Sequence, residues 1–453
     1  MAGTTPPCTE QQPTRFDKNP RVDRSLRHSL SDGITYAAMM GAAESYFAAF
    51  AVLLRATTTQ VGLLAALPPL LGSFAQLASA WIGHRLGRRR DIIVFGALLQ
   101  ATILPPLALS PLLLPSIAAP MLILCAVIYF AGPNLGAPLW GSLMGDLVAE
   151  SHRGRFFALR TRLSSLANFS ALIIAGFVLE GFDTLGFAYW GFVAIFVSAA
   201  GLRLVSAWHL AQMHDPPTQP VTLRIPWHHA LTTGLRSTGL LPFTLFFAAM
   251  QFAVAIAGPF FALYMLRDLE FSYVAFMFNT AASVCVQFVT LSRWGRLSDL
   301  FGNRLILVTT GLLIPLMPIL WLLSTNYLYL LGVQAVSGLL WAGFALSASN
   351  YVFDLTPRDQ RAALMAAHNV IAAAAIFLGA SLGGWLGSVL PESLQFGSVT
   401  WAWASPLCGA MMLSAFVRML VIAAFLPRLR EVRRVRRSSS MQLMLRLLAP
   451  RWR

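Results

Sequence analysis

Residues 117–145, IAAPMLILCAVIYFAGPNLGAPLWGSLMG, carry no charged side chain, and Asp146 ends the run. About 20 apolar residues in a helix suffice to cross ~30 Å of hydrocarbon, and a helix satisfies its own backbone N–H and C=O groups on the way. A strand of a membrane barrel would instead alternate apolar and polar residues over about 10 positions. Working outward, eleven more such runs are read at 33–54, 61–82, 91–110, 163–182, 187–209, 240–265, 272–293, 304–324, 327–353, 362–388 and 403–426. The chain is 57% hydrophobic and 11% charged, against roughly 25% charged residues in soluble domains. The sequence therefore predicts an all-α membrane protein of twelve transmembrane helices and argues against a water-soluble fold.

The net charge of +15 would suit a nucleic-acid binder, but its distribution assigns it to a membrane topology. With the N-terminus inside, Lys and Arg gather on one side. They run from Arg15, Lys18, Arg21, Arg24 and Arg27 through Arg85 to Arg90, Arg153 to Arg162, Arg224, Arg236, Arg293, Arg296, Arg304, Arg358 and Arg361, to nine arginines from Arg428 onward. The other side keeps Arg55 and Arg267. This asymmetry is the positive-inside pattern and places both termini in the cytoplasm. Arg203 and Arg418 fall inside helices near their cytoplasmic ends, where snorkelling is expected. The first 30 residues lack the apolar core of a signal peptide. Cys8, Cys125, Cys285 and Cys408 are scattered singly, without metal-ligand or redox spacing, and read as small apolar fillers.

The longest polar interruption, 210–239, contains HDPPTQP and PWHH and reads as a linker. It divides the chain into a tail at 1–30, a six-helix bundle at 31–209, a second at 240–427 and a basic tail at 428–453. The halves are related. DLVAESHR (Asp146 to Arg153) after the fourth helix matches DLTPRDQR (Asp354 to Arg361) after the tenth, and Gly87 and Arg89 in HRLGRRR correspond to Gly302 and Arg304 in SDLFGNR. An even number of helices per half makes the repeats parallel, one of the transporter arrangements.

GRLSDLFGNR, with Gly295, Leu297, Asp299, Gly302 and Arg304, resembles at every position the G-x-L-x-D-x-x-G-x-R loop of the major facilitator superfamily. The first-half counterpart AWIGHRLGRR is degraded: Ala80 replaces the glycine and His84 the aspartate, while Gly87, Arg88 and Arg89 remain. The resemblance implies a latch on the cytoplasmic side, in doubt where His84 stands. Independently of the family, glycine permits a tight turn and a carboxylate neutralises the positive end of a helix, roles that fit Asp299 and Arg304. The duplicated acid-to-arginine spacing resembles a family motif after helices 4 and 10. It makes Asp146 with Arg153 and Asp354 with Arg361 candidate gate pairs at the water boundary, the alternative being permanent clasps.

Glu44 is the carboxylate nearest mid-depth of the first helix. An ionised group there must face water, find a partner or stay protonated, so Glu44 is a candidate proton carrier, the alternative being a neutral structural glutamate. In the family, helices 1, 4, 7 and 10 line a central cavity, which directs attention to Glu44, Asn134, Gln251 and Trp341, with Gln334, Trp140, Tyr46 and Phe252 nearby. His368 and Asn369 are weaker candidates. The glycines of GASLGGWLG (379–387) predict close helix packing, and Pro105, Pro106, Pro315 and Pro318 predict bends in helices 3 and 9. The tail from Arg433 reads either as a helix on the inner leaflet or as disordered chain. Helix 4 lacks the intramembrane arginine motif and helix 5 the glycine-proline motif of drug/proton antiporters.

These features together lead to the expectation of a monomeric secondary transporter in the plasma (bacterial inner) membrane. It would move a small organic molecule by alternating access, with proton coupling through Glu44 as the sharper form. A non-transporting scaffold or sensor is the alternative. No nucleophile with a base, metal spacing or nucleotide loop suggests an enzyme, a cofactor or a metal site, and lipids and the small substrate are the expected partners.

Overall fold

The computed structural model describes residues 19–86, 88–148, 153–216, 234–357, 361–390, 393–396, 399–402, 405–429, 431 and 439–448. Twelve helices are long and apolar enough to cross a membrane. The first six are α1 (Pro20–Leu53), α2 (Thr58–Leu86), α3 (Arg89–Leu113), α4 (Pro115–Leu147), α5 (Arg153–Thr184) and α6 (Ala188–Ala211). The second six are α7 (Leu241–Asp268), α8 (Tyr273–Phe301), α9 (Asn303–Leu323), α10 (Tyr327–Leu355), α11 (Arg361–Val389) and α12 (Leu407–Phe425). A hairpin of β1 (Ser393–Phe396) and β2 (Val399–Ala402) lies between α11 and α12. A tail helix, α13 (Ser440–Leu448), follows α12.

The packing repeats as the sequence does. Within the first bundle α1 packs on α5 and α6, α4 on α2 and α3, and α3 on α6; α7 packs on α11 and α12, α10 on α8 and α9, and α9 on α12. Two symmetric contacts, α2 with α11 and α5 with α8, join the bundles. Even helix counts bring both termini to one face, here the terminal face; the other is the distal face.

Several elements depart from the sequence reading. Helix α1 starts at Pro20 rather than 33, because Asn19 caps it by accepting the Arg21 N–H and proline suits the first helical position. The expected tail at 1–30 thus contains three turns of helix. At 34 residues, α1 would be about 51 Å long at 1.5 Å per residue, longer than a ~30 Å hydrocarbon core. It also changes to a 3₁₀ turn at Glu44–Tyr46. Helix α9 is interrupted at Ile314 and Pro315, as the prolines suggested, whereas α3 stays helical through Pro105 and Pro106. The glycines of α11 meet backbone: a side chain at Gly383 would run into Ile256 of α7, and one at Gly384 into Thr59 of α2.

Apolar packing differs between the faces. On the distal face one continuous cluster takes Tyr46 and Phe50 from α1, Phe260 and Tyr264 from α7, Phe276 and Met277 from α8 and Trp321 from α9, so it spans both bundles. On the terminal side each bundle has its own cluster: Leu26, Leu143 and Phe156 in the first, Phe246, Phe344 and Leu364 in the second. The tail helix buries Leu443 and Leu447 against Trp294, Leu297 and Phe301. Arg293 donates to the Leu447 carbonyl at 3.2 Å.

Candidate functional site

At the terminal face of the first bundle Arg89, in the first turn of α3, joins three segments. Its Nη1 donates to Asp146 Oδ2 at 2.7 Å and Ser142 Oγ at 2.9 Å on α4, and its Nε and Nη2 reach Asp215 Oδ1, beyond α6, at 3.2 and 3.1 Å. Asp215 Oδ2 also accepts the Arg90 N–H at 3.0 Å, setting a carboxylate on the positive end of α3. The expected partner of Asp146 was Arg153. Asp146 sits on Arg89, because the end of α4 packs beside the start of α3; the side chains of Arg153 and Arg361, the expected partners in the two gate pairs, lie outside the described residues. Arg88 is exposed and meets Asp91 at 3.9 Å. The His84 side chain and Gly87 also lie outside the described residues.

The second bundle builds the same device from other groups. Gly302 turns the chain at φ 82°, a left-handed conformation that glycine adopts without strain, and a side chain there would collide with the Glu431 carboxyl. Glu431 Oε2 accepts the Arg304 N–H at 2.9 Å, and Arg304 Nε donates to the Leu429 carbonyl at 2.6 Å. The carboxylate on the end of α9 is thus Glu431, since residues after α12 return to this helix end. Asp299 is exposed and lines a groove with Arg293 and Arg296. Asp354 accepts from Asn303 Nδ2 at 3.0 Å. Leu297 is buried beneath the tail helix, and Gly295 has open space around it.

The mid-depth residues do not converge on one site. Glu44, half-buried in its 3₁₀ turn, accepts from the Tyr129 hydroxyl at 3.5 Å. Asn134 is satisfied by the Phe130 carbonyl of its own helix at 2.7 Å. Tyr46 is fully buried and donates to the Leu172 carbonyl at 2.6 Å, a packing role rather than a cavity one. Gln251 and Gln334 are half-buried, and Trp341 packs edge-on against Phe344. His368 bonds Thr244 Oγ1 at 3.0 Å and lies between Phe243 and Phe247, held by packing.

Between the bundles a cavity of about 560 Å³ is lined from α5, α8 and α10, with Arg162, Asn168, Phe169, Gln287 and Phe288 among its walls. It lies on the terminal halves of these helices, whereas distally α5 and α8 meet through Gly176 and Met277 and through Glu180, which accepts the Val274 N–H at 3.1 Å. None of the expected mid-depth residues lines it.

Sequence reading missed a buried polar group within the first bundle. Asp32 of α1 is 3% exposed and Arg203 of α6 5%. Arg160 Nη2 donates to Asp32 Oδ2 at 3.1 Å, and Ser206 Oγ donates to Asp32 Oδ1 at 2.7 Å while accepting from Arg203 Nη1 at 2.6 Å. Arg203 therefore does not snorkel, and neither does Arg418 of α12, 3% exposed with Nη1 at 3.4 Å from the Ile314 carbonyl. The overlooked signal was the 3–4 residue spacing of Ser25, Ser29, Asp32 and Tyr36, a polar stripe on one helix face. Among the described residues no His, Cys, Asp and Glu group could hold a metal ion.

A family model for the Major Facilitator Superfamily matches residues 33–254 and 243–451. A search of curated proteins finds no match. Among solved structures, the nucleoside transporter NupG is similar with a TM-score of 0.67, 10% identity, and 91% of this chain and 100% of that chain covered. A bacterial homologue of the iron transporter ferroportin, in its inward-facing state, gives 0.68 at 16% identity, with 89% and 98% covered. The D-xylose-proton symporter gives 0.66 at 14% identity, with 91% and 98% covered. At these identities the likeness concerns the fold.

Proposed function

The chain belongs to the major facilitator superfamily, and on that premise we propose that it moves a small organic molecule across the membrane by alternating access, as a monomer with cytoplasmic termini. As a multi-pass membrane protein with two parallel repeats it has the architecture that rocking requires. One observation carries the reading: the apolar cluster is continuous across both bundles on the distal face and separate on the terminal face. With cytoplasmic termini that arrangement is the inward-facing state. The cavity between α5, α8 and α10 is then the substrate space, its mainly apolar wall and few polar groups suiting a small organic molecule. Glu44, at the break in α1 beside Tyr129, is the proposed proton carrier.

Cysteines at Glu180 and Val274, where the Glu180 carboxylate meets the Val274 N–H at 3.1 Å across the distal side, should crosslink with a short bismaleimide and stop flux into proteoliposomes of a substrate found by thermal-shift screening. Flux that survives the crosslink removes alternating access, and no flux for any stabilising ligand leaves a scaffold or sensor. Glu44→Gln should abolish proton-driven accumulation while leaving expression intact; unchanged coupling removes Glu44 from the mechanism.

A further inference from the structure

The buried polar group of the first bundle borders a cavity of about 240 Å³, lined by Asp32, Tyr36, Trp140, Arg160 and Arg203 together with apolar residues of α3, α4 and α6. It lies inside one bundle, with walls from α1, α3, α4, α5 and α6, and shares no lining residue with the cavity between the bundles. Two features define what it would take.

The first is charge. One carboxylate, Asp32, serves two guanidinium groups: Arg160 at 3.1 Å and Arg203 at 4.0 Å. Among the described residues one positive charge is left over in a site where Arg203 is 5% exposed, and an uncompensated buried charge is costly. The second is hydrogen-bonding capacity. Arg203 Nε and Trp140 Nε1 are both buried and have no partner among the described residues. A guanidinium and an indole N–H donate and cannot accept, so whatever satisfies them must bring acceptor atoms. Each guanidinium also lies over an aromatic ring: Arg160 over Trp140 at 4.4 Å and Arg203 over Tyr36 at 4.5 Å. The remaining wall is apolar and small: Ile93, Gly132, Pro133, Gly136, Ala137 and Leu210. The space equals about eight waters at ~30 Å³ each.

We propose that this cavity binds a small organic monoanion, a carboxylate on a compact apolar or aromatic body, whose oxygens accept from Arg203 Nε and Trp140 Nε1 while its body rests against the small residues of α4. The anion supplies the missing negative charge and both missing acceptors. The site does not depend on transport through the cleft, and its test does not require flux.

Benzoate is the probe, with benzamide as neutral isostere and benzylamine as cation. Titrated into purified protein, benzoate should raise the melting temperature in a saturable way, with benzamide at least roughly tenfold weaker, as expected for loss of a charge-assisted hydrogen bond, and benzylamine without effect. Ala137→Phe fills the cavity without altering a charge and should weaken benzoate at least tenfold; Arg203→Gln should do the same if it folds. No benzoate shift overturns the proposal, as does a shift that benzamide matches. Binding that Ala137→Phe leaves intact also overturns it, by placing the anion elsewhere.

Discussion

Arg203 and Arg418 occupy corresponding places on the last helix of each bundle, and both are buried, yet they live in different company. Arg203 has Asp32, Ser206 and Arg160 around it. Arg418 has the Ile314 carbonyl at the interruption of α9, its Nε has no partner among the described residues, and no ion pair is recorded for it there. The repeat has kept the cation, while among the described residues the first half alone supplies it with a carboxylate. Where the first bundle buries a charged cluster beside a cavity, the second packs Phe243, Phe247 and His368 against one another. The terminal face retains the geometry with different residues: Asp215 and Glu431 both sit on the first turn of a third helix, and Asp215 binds the Arg89 side chain as well. One fold thus carries two electrostatic designs.

The comparison breaks most readily at Asp32. Asp32→Ala would strand two guanidinium groups in the first bundle, and the expected loss is about 3–5 kcal/mol, read as a large fall in the melting temperature of the purified protein; an unchanged melt would mean the pair is not buried. Next come the arginines themselves, which should differ in sign. Arg203→Met breaks the charge-assisted bond to Ser206 while Asp32 keeps Arg160, and should destabilise by roughly 2 kcal/mol, whereas Arg418→Met removes a charge with no ion pair among the described residues and should be neutral or stabilising by about 1 kcal/mol. Equal losses at both positions would erase the asymmetry. Among the helix-end acids, Asp215→Asn should cost about 2 kcal/mol in the same melt, because a charged bond to Arg89 goes with the helix-end charge. The smallest effect belongs to the distal seal. Glu180→Gln weakens the acceptor of the Val274 N–H, and maleimide labelling of a cysteine at Ala281, buried in the distal cluster, should rise roughly twofold, a few tenths of a kcal/mol.

What could be read in advance follows from the range of each interaction. Crossing hydrocarbon depends on local length and apolarity, so 117–145 and its eleven counterparts announced twelve helices, and the spacing of Asp146, Arg153, Asp354 and Arg361 announced the duplication. The helix end at Gly302 was legible too, since its glycine is required by the turn itself. The partners were not. Arg89 reaches Asp146 and Asp215, and Arg304 receives Glu431 from beyond α12, because such pairs depend on which helices lie side by side. Arg203 and Arg418 were misread for a related reason: their height along the helix is visible in the chain, but the direction of their side chains is not.

The sequence by itself determined the number of helices, their parallel duplication and the charge bias between the loops, because hydropathy and charge act through segments of the chain in isolation. Only the tertiary structure decided that the distal face is sealed, that Glu44 and Tyr129 meet, and that Asp32, Arg160 and Arg203 enclose a cavity with two unanswered donors. Each of those rests on the rotation of one helix against another, which packing sets between segments far apart in the chain.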